Sequence, residues 1–321
     1  MSDNISPRSI PQLLLQARQQ GLPSLEAQLL LMQASGLTRS QLITHTQVLD
    51  HTQEAFFYLQ VKRRLQGEPI AYLLGHRDFF SLDFLVNPAT LIPRPETECL
   101  VTSALEMVGH LENPRILDLG TGCGAIAITL AYHLPHANVI ATDCSAAALE
   151  VAQSNARRLL PKNHTLSLRL GSWFEALEQD AAVLTMKNFS SIHKHFKQEK
   201  NALSTCISHC MATNAPPHFS FDLIVSNPPY IAANDIHLSQ GDLRFEPLNA
   251  LTDQHDGLSA LRTIIAQAPH WLTDNGQILL EHGYDQALAV QALLQEANFV
   301  NIFTAKDLAQ IGRVSGGKIR R

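Results

Sequence analysis

A glycine-rich loop between a short apolar strand and an apolar helix is the strongest constraint on the fold of this chain. The loop DLGTGCG, from Asp118 to Gly124, follows the strand-like residues Arg115 to Leu117 and precedes the helical stretch AIAITLAYHL. Glycines let a backbone approach a ligand closely and expose the N–H groups of the next helix's first turn. The segment therefore predicts a strand-turn-helix unit that binds a ligand at its turn.

Strand-like and helix-like stretches alternate along the chain from Arg94 onward. The predicted strands lie near residues 115–119, 138–142, 165–170, 221–226, 277–281 and 299–304. This alternation predicts an α/β fold with a mostly parallel, Rossmann-like sheet, covered by helices on both faces, with ligands outside the strands' C-terminal ends. Asp118, Asp143, Trp173 and Asn227 all fall at such ends.

The spacing around the glycine loop favours one class of cofactor. Asp143 follows the second strand, about twenty residues beyond the loop, where a carboxylate can accept both hydroxyls of a ribose. Ala125 stands where the dinucleotide fingerprint would have its third glycine, which favours S-adenosylmethionine over nicotinamide cofactors. Asp118 agrees, since a carboxylate suits an amino-acid ammonium better than a pyrophosphate.

A second motif follows the apolar run from Phe221 to Val225, which ends in the residues SNPPY. The run predicts a buried strand, and the two prolines after it withdraw two backbone N–H donors and fix φ. Acceptors remain at the tip: the side-chain oxygen of Asn227 and the carbonyl of Pro228, followed by the ring of Tyr230. Such a site suits a flat, neutral NH2 group, as in amides and in the exocyclic amines of bases.

The chain divides into three parts. Residues 1–74 predict a small helical domain, in which Phe56, Leu59 and Leu65 have helical spacing and Ser24 and Thr52 are candidate helix caps. Residues 75–93 predict a β-hairpin linker. Residues 94–321 form the α/β domain, with an insertion at about residues 180–218 that is far longer than most strand connections.

The insertion contains side chains that could bind zinc. They are His193, His195, Cys206, His209 and Cys210. The segment has no CxxC pair and is rich in lysine, so we expect a surface excursion and no metal site.

Composition limits the partners and the compartment. A chain of 321 residues is long enough for two domains, and its formal charge of −5 gives no overall basic field for nucleic acid. The five cysteines are odd in number and lack the spacing of a disulfide framework, which indicates reduced thiols. No leader or membrane-spanning stretch is recognised, and we expect a cytoplasmic protein without a membrane partner.

Taken together, these motifs resemble the bacterial peptide chain release factor glutamine methyltransferases, the PrmC/HemK family. The resemblance covers nearly the whole chain outside the insertion. It is carried by GEPIAYLLG at 67–75, ATLIPRPETE at 89–98, ILDLGTGCGAIAI at 116–128, IVSNPPYI at 224–231, QGDLRFEPLNAL at 240–251 and LLEHG at 279–283.

The resemblance implies transfer of a methyl group from S-adenosyl-L-methionine to the side-chain amide nitrogen of the glutamine in the Gly-Gly-Gln loop of release factors. It implies a helical domain that binds the release factor. It also implies that Asp143 binds the ribose and Trp173 the adenine, although Ser172 stands where the family often has an acid. The residues that would surround the methionine part are Gly120, Thr121, Gly122, Cys123 and Gly124, and those for the glutamine are Asn227, Pro228, Pro229 and Tyr230.

Two other functions fit parts of the sequence. A nucleic-acid amino-group methyltransferase would place a flipped adenine or guanine against Tyr230. Such an enzyme would need a basic recognition domain, whereas residues 1–74 carry few cations. A non-catalytic, cofactor-binding scaffold would have no need of the acceptor pair at Asn227 and Pro228. We therefore expect an enzyme with a protein substrate and no direct nucleic-acid partner.

Overall fold

The computed structural model describes residues 8–44, 48–178 and 220–320. The predicted insertion at residues 180–218, with its candidate zinc ligands, lies outside the described residues. Within the described residues, no helix is long and apolar enough to cross a membrane. The cytoplasmic location stays a prediction.

The N-terminal part is helical. Its helices are α1 Ile10–Gln19, α2 Ser24–Ser35, α3 Arg39–Thr44, α4 His51–Leu65 and α5 Ile70–Leu74. They enclose a core of their own that includes Leu13, Leu30 and Phe57. The sequence was misleading about both helix caps and about the buried face of α4. Ser24 is the first residue of α2, which follows Pro23 without a side-chain cap. Asp50, not Thr52, caps α4, since its carboxylate accepts from the backbone N–H of Gln53 at 2.8 Å.

The apolar residues that suggested α4 also lie on its exposed side. Phe56, Leu59 and Leu65 are 39%, 52% and 44% exposed, whereas Phe57 and Val61 fill the core. Helical spacing therefore identified the helix but not its buried face.

A short hairpin connects this unit to the rest of the chain. Its strands are β1 His76–Phe79 and β2 Leu82–Leu85, which pair antiparallel. Phe80 and Ser81 have φ of 48° and 62°, the left-handed values that a two-residue hairpin turn requires. Phe79 and Phe84 are buried in the same core as the following α/β unit, so the hairpin is packed rather than a free linker.

The α/β unit is built on a seven-stranded sheet. Its strands are β3 Arg115–Leu119, β4 Asn138–Asp143, β5 Ser167–Leu170, β6 Phe221–Ser226, β7 Leu272–Glu281, β8 Phe299–Lys306 and β9 Gly312–Ile319. Their order is β5-β4-β3-β6-β7-β9-β8. The first five are parallel, and β9 pairs antiparallel with both of its neighbours.

Helices cover both faces of this sheet. They are α6 Glu98–Val108, α7 Ala125–His133, α8 Ala146–Leu159, α10 Ser259–Trp271 and α11 Ala287–Glu296, and the short α9 Leu248–Leu251 precedes α10 in the chain. Side chains alternate along β3, so Ile116 packs with the core of α6, α7 and α8, while Leu117 packs with the core of α10 and α11. The Rossmann-like fold predicted from the sequence is confirmed.

The strand order reverses between β3 and β6. In such sheets the crevice outside the carboxyl ends of the strands, at the point of reversal, binds ligands. Asp118, Asp143, Asn227 and Glu281 lie at or directly after the carboxyl ends of β3, β4, β6 and β7. Parallel pairing therefore brings together residues that are far apart in sequence.

Candidate active site

The glycine loop after β3 has a backbone that other residues would strain. Gly120, Gly122 and Gly124 have φ of 75°, 57° and 86°. A Cβ on Gly124 would also lie 2.5 Å from the side chain of Ile128. The backbone N–H groups of Gly120 and Thr121 donate to the Thr142 carbonyl of β4 at 2.9 Å, which fixes the loop against the neighbouring strand.

Asp118 supports this loop from beneath. Its side chain is fully buried, and its Oδ2 accepts a hydrogen bond from Thr121 Oγ1 at 2.7 Å. Burial raises the pKa of Asp118 to about 7. Its Oδ1 has no hydrogen-bond partner of ordinary geometry within the described residues, although the Ala127 backbone N–H is near enough to lower the pKa of Asp118. An unpaired buried acceptor next to a ligand loop fits a cationic ammonium that it reaches directly or through water.

Asp143, the last residue of β4, holds the other side of the loop. Its Oδ2 accepts from the backbone N–H of Gly122 and its Oδ1 from that of Ser145, both at 2.8 Å. Burial raises its pKa. Each carboxylate oxygen has further lone pairs, so the aspartate can also accept hydrogen bonds from two ligand hydroxyls.

Trp173 covers the glycine loop from the far side. Its ring lies 3.4 Å from the position that a Cβ on Gly120 would take, which is ordinary van der Waals contact. Trp173 has a φ of 45°, which is rare for an aromatic residue. Ser172, beside it, lines the same cavity.

The Asn227 loop lies across the cavity from these groups. Ser226, the last residue of β6, donates through its hydroxyl to the Leu119 carbonyl at 2.7 Å, which joins the loop to β3. Asn227 donates through Nδ2 to Thr97 Oγ1 at 3.2 Å, and this leaves its Oδ1 available as an acceptor. Tyr230 donates from its hydroxyl to Glu281 Oε1 at 3.4 Å.

One cavity brings most of the predicted site residues together. Those that line it are Gly120, Thr121, Gly122, Cys123, Asp143, Trp173, Asn227 and Pro229. Gly124, Pro228 and Tyr230 are not among the residues that line it. The assignment of roles within the cavity stays a prediction.

The roof of the cavity includes residues that the sequence reasoning did not assign to it. They are Ala89, Thr90, Leu91, Pro93, Thr97, Pro247, Asn249 and Ala250. These residues lie in the stretches ATLIPRPETE and FEPLNAL, two of the motifs that carry the family resemblance, so the motifs could have indicated them. Arg94 and the buried Glu246 form an ion pair between the two stretches, and Glu246 Oε2 also accepts from the Ile92 N–H at 3.0 Å. Burial raises the pKa of Glu246.

Comparisons with known proteins identify the family of this chain. Residues 12–75 match the PrmC N-terminal domain, and residues 110–311 match a methyltransferase domain. A release factor glutamine methyltransferase of Burkholderia pseudomallei is 43% identical and covers 98% of this chain and 97% of its own. One of Bordetella pertussis is 44% identical over 92% of this chain and 95% of its own.

Solved structures support the fold alone. The hMettl16 catalytic domain, solved in complex with the MAT2A 3'UTR hairpin 1, is 15% identical to this chain. It aligns with a TM-score of 0.50 and covers 80% of each chain.

Proposed function

The chain belongs to the release factor glutamine methyltransferases, and from that premise we propose how its cavity carries out the reaction. The enzyme transfers a methyl group from S-adenosylmethionine to a glutamine of a release factor. The acceptor we propose is the side-chain amide nitrogen of the glutamine in a Gly-Gly-Gln loop. The observation that carries this proposal is the Asn227 amide, whose NH2 is held by Thr97 while its oxygen stays available.

The residues around the glycine loop fit S-adenosylmethionine, which supplies an electrophilic methyl group when it is bound. We propose that Asp143 accepts the ribose hydroxyls and that Trp173 lies along the adenine. The loop from Gly120 to Gly124 would then follow the methionine part, with the unpaired oxygen of Asp118 near its ammonium. This set of carboxylates, exposed backbone and indole matches the hydroxyls, cation and flat ring of that molecule.

The Asn227 loop would prepare the acceptor nitrogen. An amide nitrogen is a weak nucleophile because its lone pair is delocalised into the carbonyl. The Asn227 oxygen and the Pro228 carbonyl can accept its two hydrogens, orient the nitrogen and stabilise positive charge as it develops. No base is needed before transfer, since the N-methylated, protonated amide is strongly acidic and can lose its proton to water afterwards. The ring of Tyr230 provides a face for the amide plane.

Methyl transfer from labelled S-adenosylmethionine tests this function directly. Purified release factor, tRNA, rRNA and DNA are offered in parallel, and we expect label on the release factor alone. A release factor whose Gly-Gly-Gln glutamine is replaced by alanine should take up none. Label on a nucleic acid would support the amino-group methyltransferase instead, and no transfer to any of them would favour a non-catalytic scaffold.

We also propose that the helical unit binds the release factor. Phe56 and Leu59 lie exposed one turn apart on α4, and Leu15, Leu25 and Ile43 are exposed on α1, α2 and α3. Large exposed apolar side chains on one helix face can form part of an interaction surface. Binding energy gained there can be used to orient the reacting glutamine.

Replacing both Phe56 and Leu59 with aspartate should raise KM for the intact release factor by about tenfold or more, since each apolar anchor in an interface can contribute over 1 kcal/mol. Methylation of a short glutamine peptide, which cannot reach α4, should change little. Leu111→Asp, an exposed leucine outside the helical unit, serves as the control. An unchanged KM for intact factor in the double variant would refute this role.

A further inference from the structure

Glu281 is a fully buried carboxylate directly behind the candidate active site. It is the last residue of β7, its side chain is 0% exposed, and it is not among the residues that line the cavity. Burying a carboxylate is costly unless its charge is compensated. Its Oε2 makes no ordinary hydrogen bond with any described residue, so the surrounding core does not fully satisfy it.

The contacts of Glu281 lead to the two ends of the Asn227 loop. Tyr230 donates its hydroxyl to Glu281 Oε1 at 3.4 Å. Thr97 lies near enough to this carboxylate for its hydroxyl to lower the pKa of Glu281, and Thr97 Oγ1 accepts from Asn227 Nδ2 at 3.2 Å. One buried acid is therefore connected both to the aromatic ring and to the amide of the site.

We infer that Glu281 is a positioning residue, which orients the Asn227 amide through Thr97 and the aromatic ring through Tyr230. The inference rests on the proposed function, since it concerns the same acceptor site. Glu281 does not touch the substrate in this arrangement. It acts through side chains that do.

The direction of the hydrogen bonds explains why the carboxylate matters. A threonine hydroxyl has a single hydrogen. If Thr97 donates it to Glu281, the hydroxyl oxygen can only accept from Asn227, so the Asn227 NH2 points to Thr97 and its oxygen to the cavity. Without that acceptor, Thr97 can donate to the Asn227 oxygen instead. The amide then turns, and its NH2 faces the NH2 of the incoming glutamine.

Ionised Glu281 can accept hydroxyl hydrogens at both oxygens, whereas a protonated carboxyl uses one oxygen as a donor and accepts more weakly. Burial raises its pKa to about 7, Thr97, Tyr230 and Arg313 oppose that rise, and Glu96 adds to it. Cys99 on α6 is near enough for the Glu281 charge to raise the pKa of its thiol. Because the pKa is raised, the carboxyl is neutral below about pH 7 and charged above it. Turnover should therefore increase as the pH rises through about 7.

Glu281→Gln tests the inference, because glutamine keeps the shape but offers one acceptor and one donor group. We expect kcat for release-factor methylation to fall by about ten- to a hundredfold, the range for hydrogen bonds to a charged group. The rise of kcat around pH 7 should disappear, while cofactor affinity measured by calorimetry changes little. Thr97→Val, which leaves the carboxylate intact, should lower kcat similarly.

Ser315→Ala is the matched control. The Ser315 hydroxyl is bonded to the buried His282, one residue further along the chain from Glu281, at 2.8 Å. Removing the Ser315 hydroxyl breaks a hydrogen bond in the same part of the sheet but leaves the hydrogen bonds of Thr97 and Tyr230 in place. We expect this variant to lose thermal stability but to keep the kcat and pH profile of the parent enzyme.

Several outcomes would overturn the inference: parental kcat and pH profile in Glu281→Gln, or an equal loss of kcat in Ser315→Ala. NMR signals of the Asn227 side-chain amide, assigned with Asn227→Ala, provide a readout that needs no activity. Their chemical shifts should change in Glu281→Gln and remain those of the parent in Ser315→Ala. Unchanged chemical shifts in Glu281→Gln would overturn the inference. A parent enzyme that methylates no release factor would refute the proposed function, and the NMR comparison would still decide the role of Glu281.

Discussion

Asn227→Ala should lower the rate of release-factor methylation by about a hundred- to a thousandfold, the effect of removing one well-placed polar group from a dry active site. The reason is geometric. The Asn227 oxygen is the side-chain acceptor at the tip of β6, and its orientation is held by the bond from Nδ2 to Thr97 Oγ1. In the variant, the substrate amide loses one of its two hydrogen-bond acceptors and can donate only to the Pro228 carbonyl. Its nitrogen is then no longer oriented toward the methyl group.

Single-turnover rates with saturating S-adenosylmethionine provide the measurement, together with calorimetric affinity for the cofactor, which should change little. Asn138→Ala is the control, because Asn138 is exposed at the opposite end of β4 from the site. Near-normal turnover in Asn227→Ala would remove Asn227 from the acceptor site. A large loss of cofactor affinity would assign it to the cofactor instead.

Asp143→Ala should weaken S-adenosylmethionine binding by about ten- to a hundredfold, since hydrogen bonds to a charged group contribute about 1.5 to 3 kcal/mol. The Asp143 carboxylate also accepts from the N–H of Gly122 and of Ser145. The loss therefore combines the missing ribose contact with a loosened glycine loop. Calorimetry with the parent and the variant measures the total effect, and Asp78→Ala, an exposed aspartate on β1, is the control.

A cofactor analogue without ribose hydroxyls separates the two contributions. If Asp143 holds the ribose, the parent enzyme should bind this analogue weakly, and Asp143→Ala should weaken its binding by less than it weakens the normal cofactor. Equal weakening for both ligands would mean that Asp143 acts only on the loop. Unchanged affinity for S-adenosylmethionine in Asp143→Ala would reject the assignment altogether.

The sequence predicted the location of the site because its motifs have local backbone requirements. The positive φ of Gly120 and Gly122 and the two prolines after Asn227 are properties of short segments. The alternation of strands and helices predicted a parallel sheet, in which such segments meet at one edge. The fold predicted in this way is confirmed by the structure, and the family and release-factor methylation implied by the resemblance are confirmed by the relatives.

Strand β9 was not predicted, and its residues explain why. Gly316 and Gly317 lower the strand propensity of Gly312–Ile319. In the sheet they are needed, since a Cβ on Gly316 would lie 2.5 Å from the Ile278 carbonyl oxygen of β7. The strand exists because β7 and β8 provide hydrogen-bonding edges on both sides. That stabilisation depends on distant segments and leaves no local pattern.

The chain by itself therefore determined which residues end its strands, which loops need glycine or proline, and what chemistry their side chains offer. Tertiary structure decided which of these groups face one another. Thr97 and Asn227 are 130 positions apart, yet their contact sets the direction of the amide. Glu281, at the end of β7, likewise accepts a hydrogen bond from the Tyr230 hydroxyl, which follows β6. Backbone conformation is a property of neighbouring residues, whereas the partner of a buried polar group is set by the packing of the whole sheet, and only the folded chain specifies it.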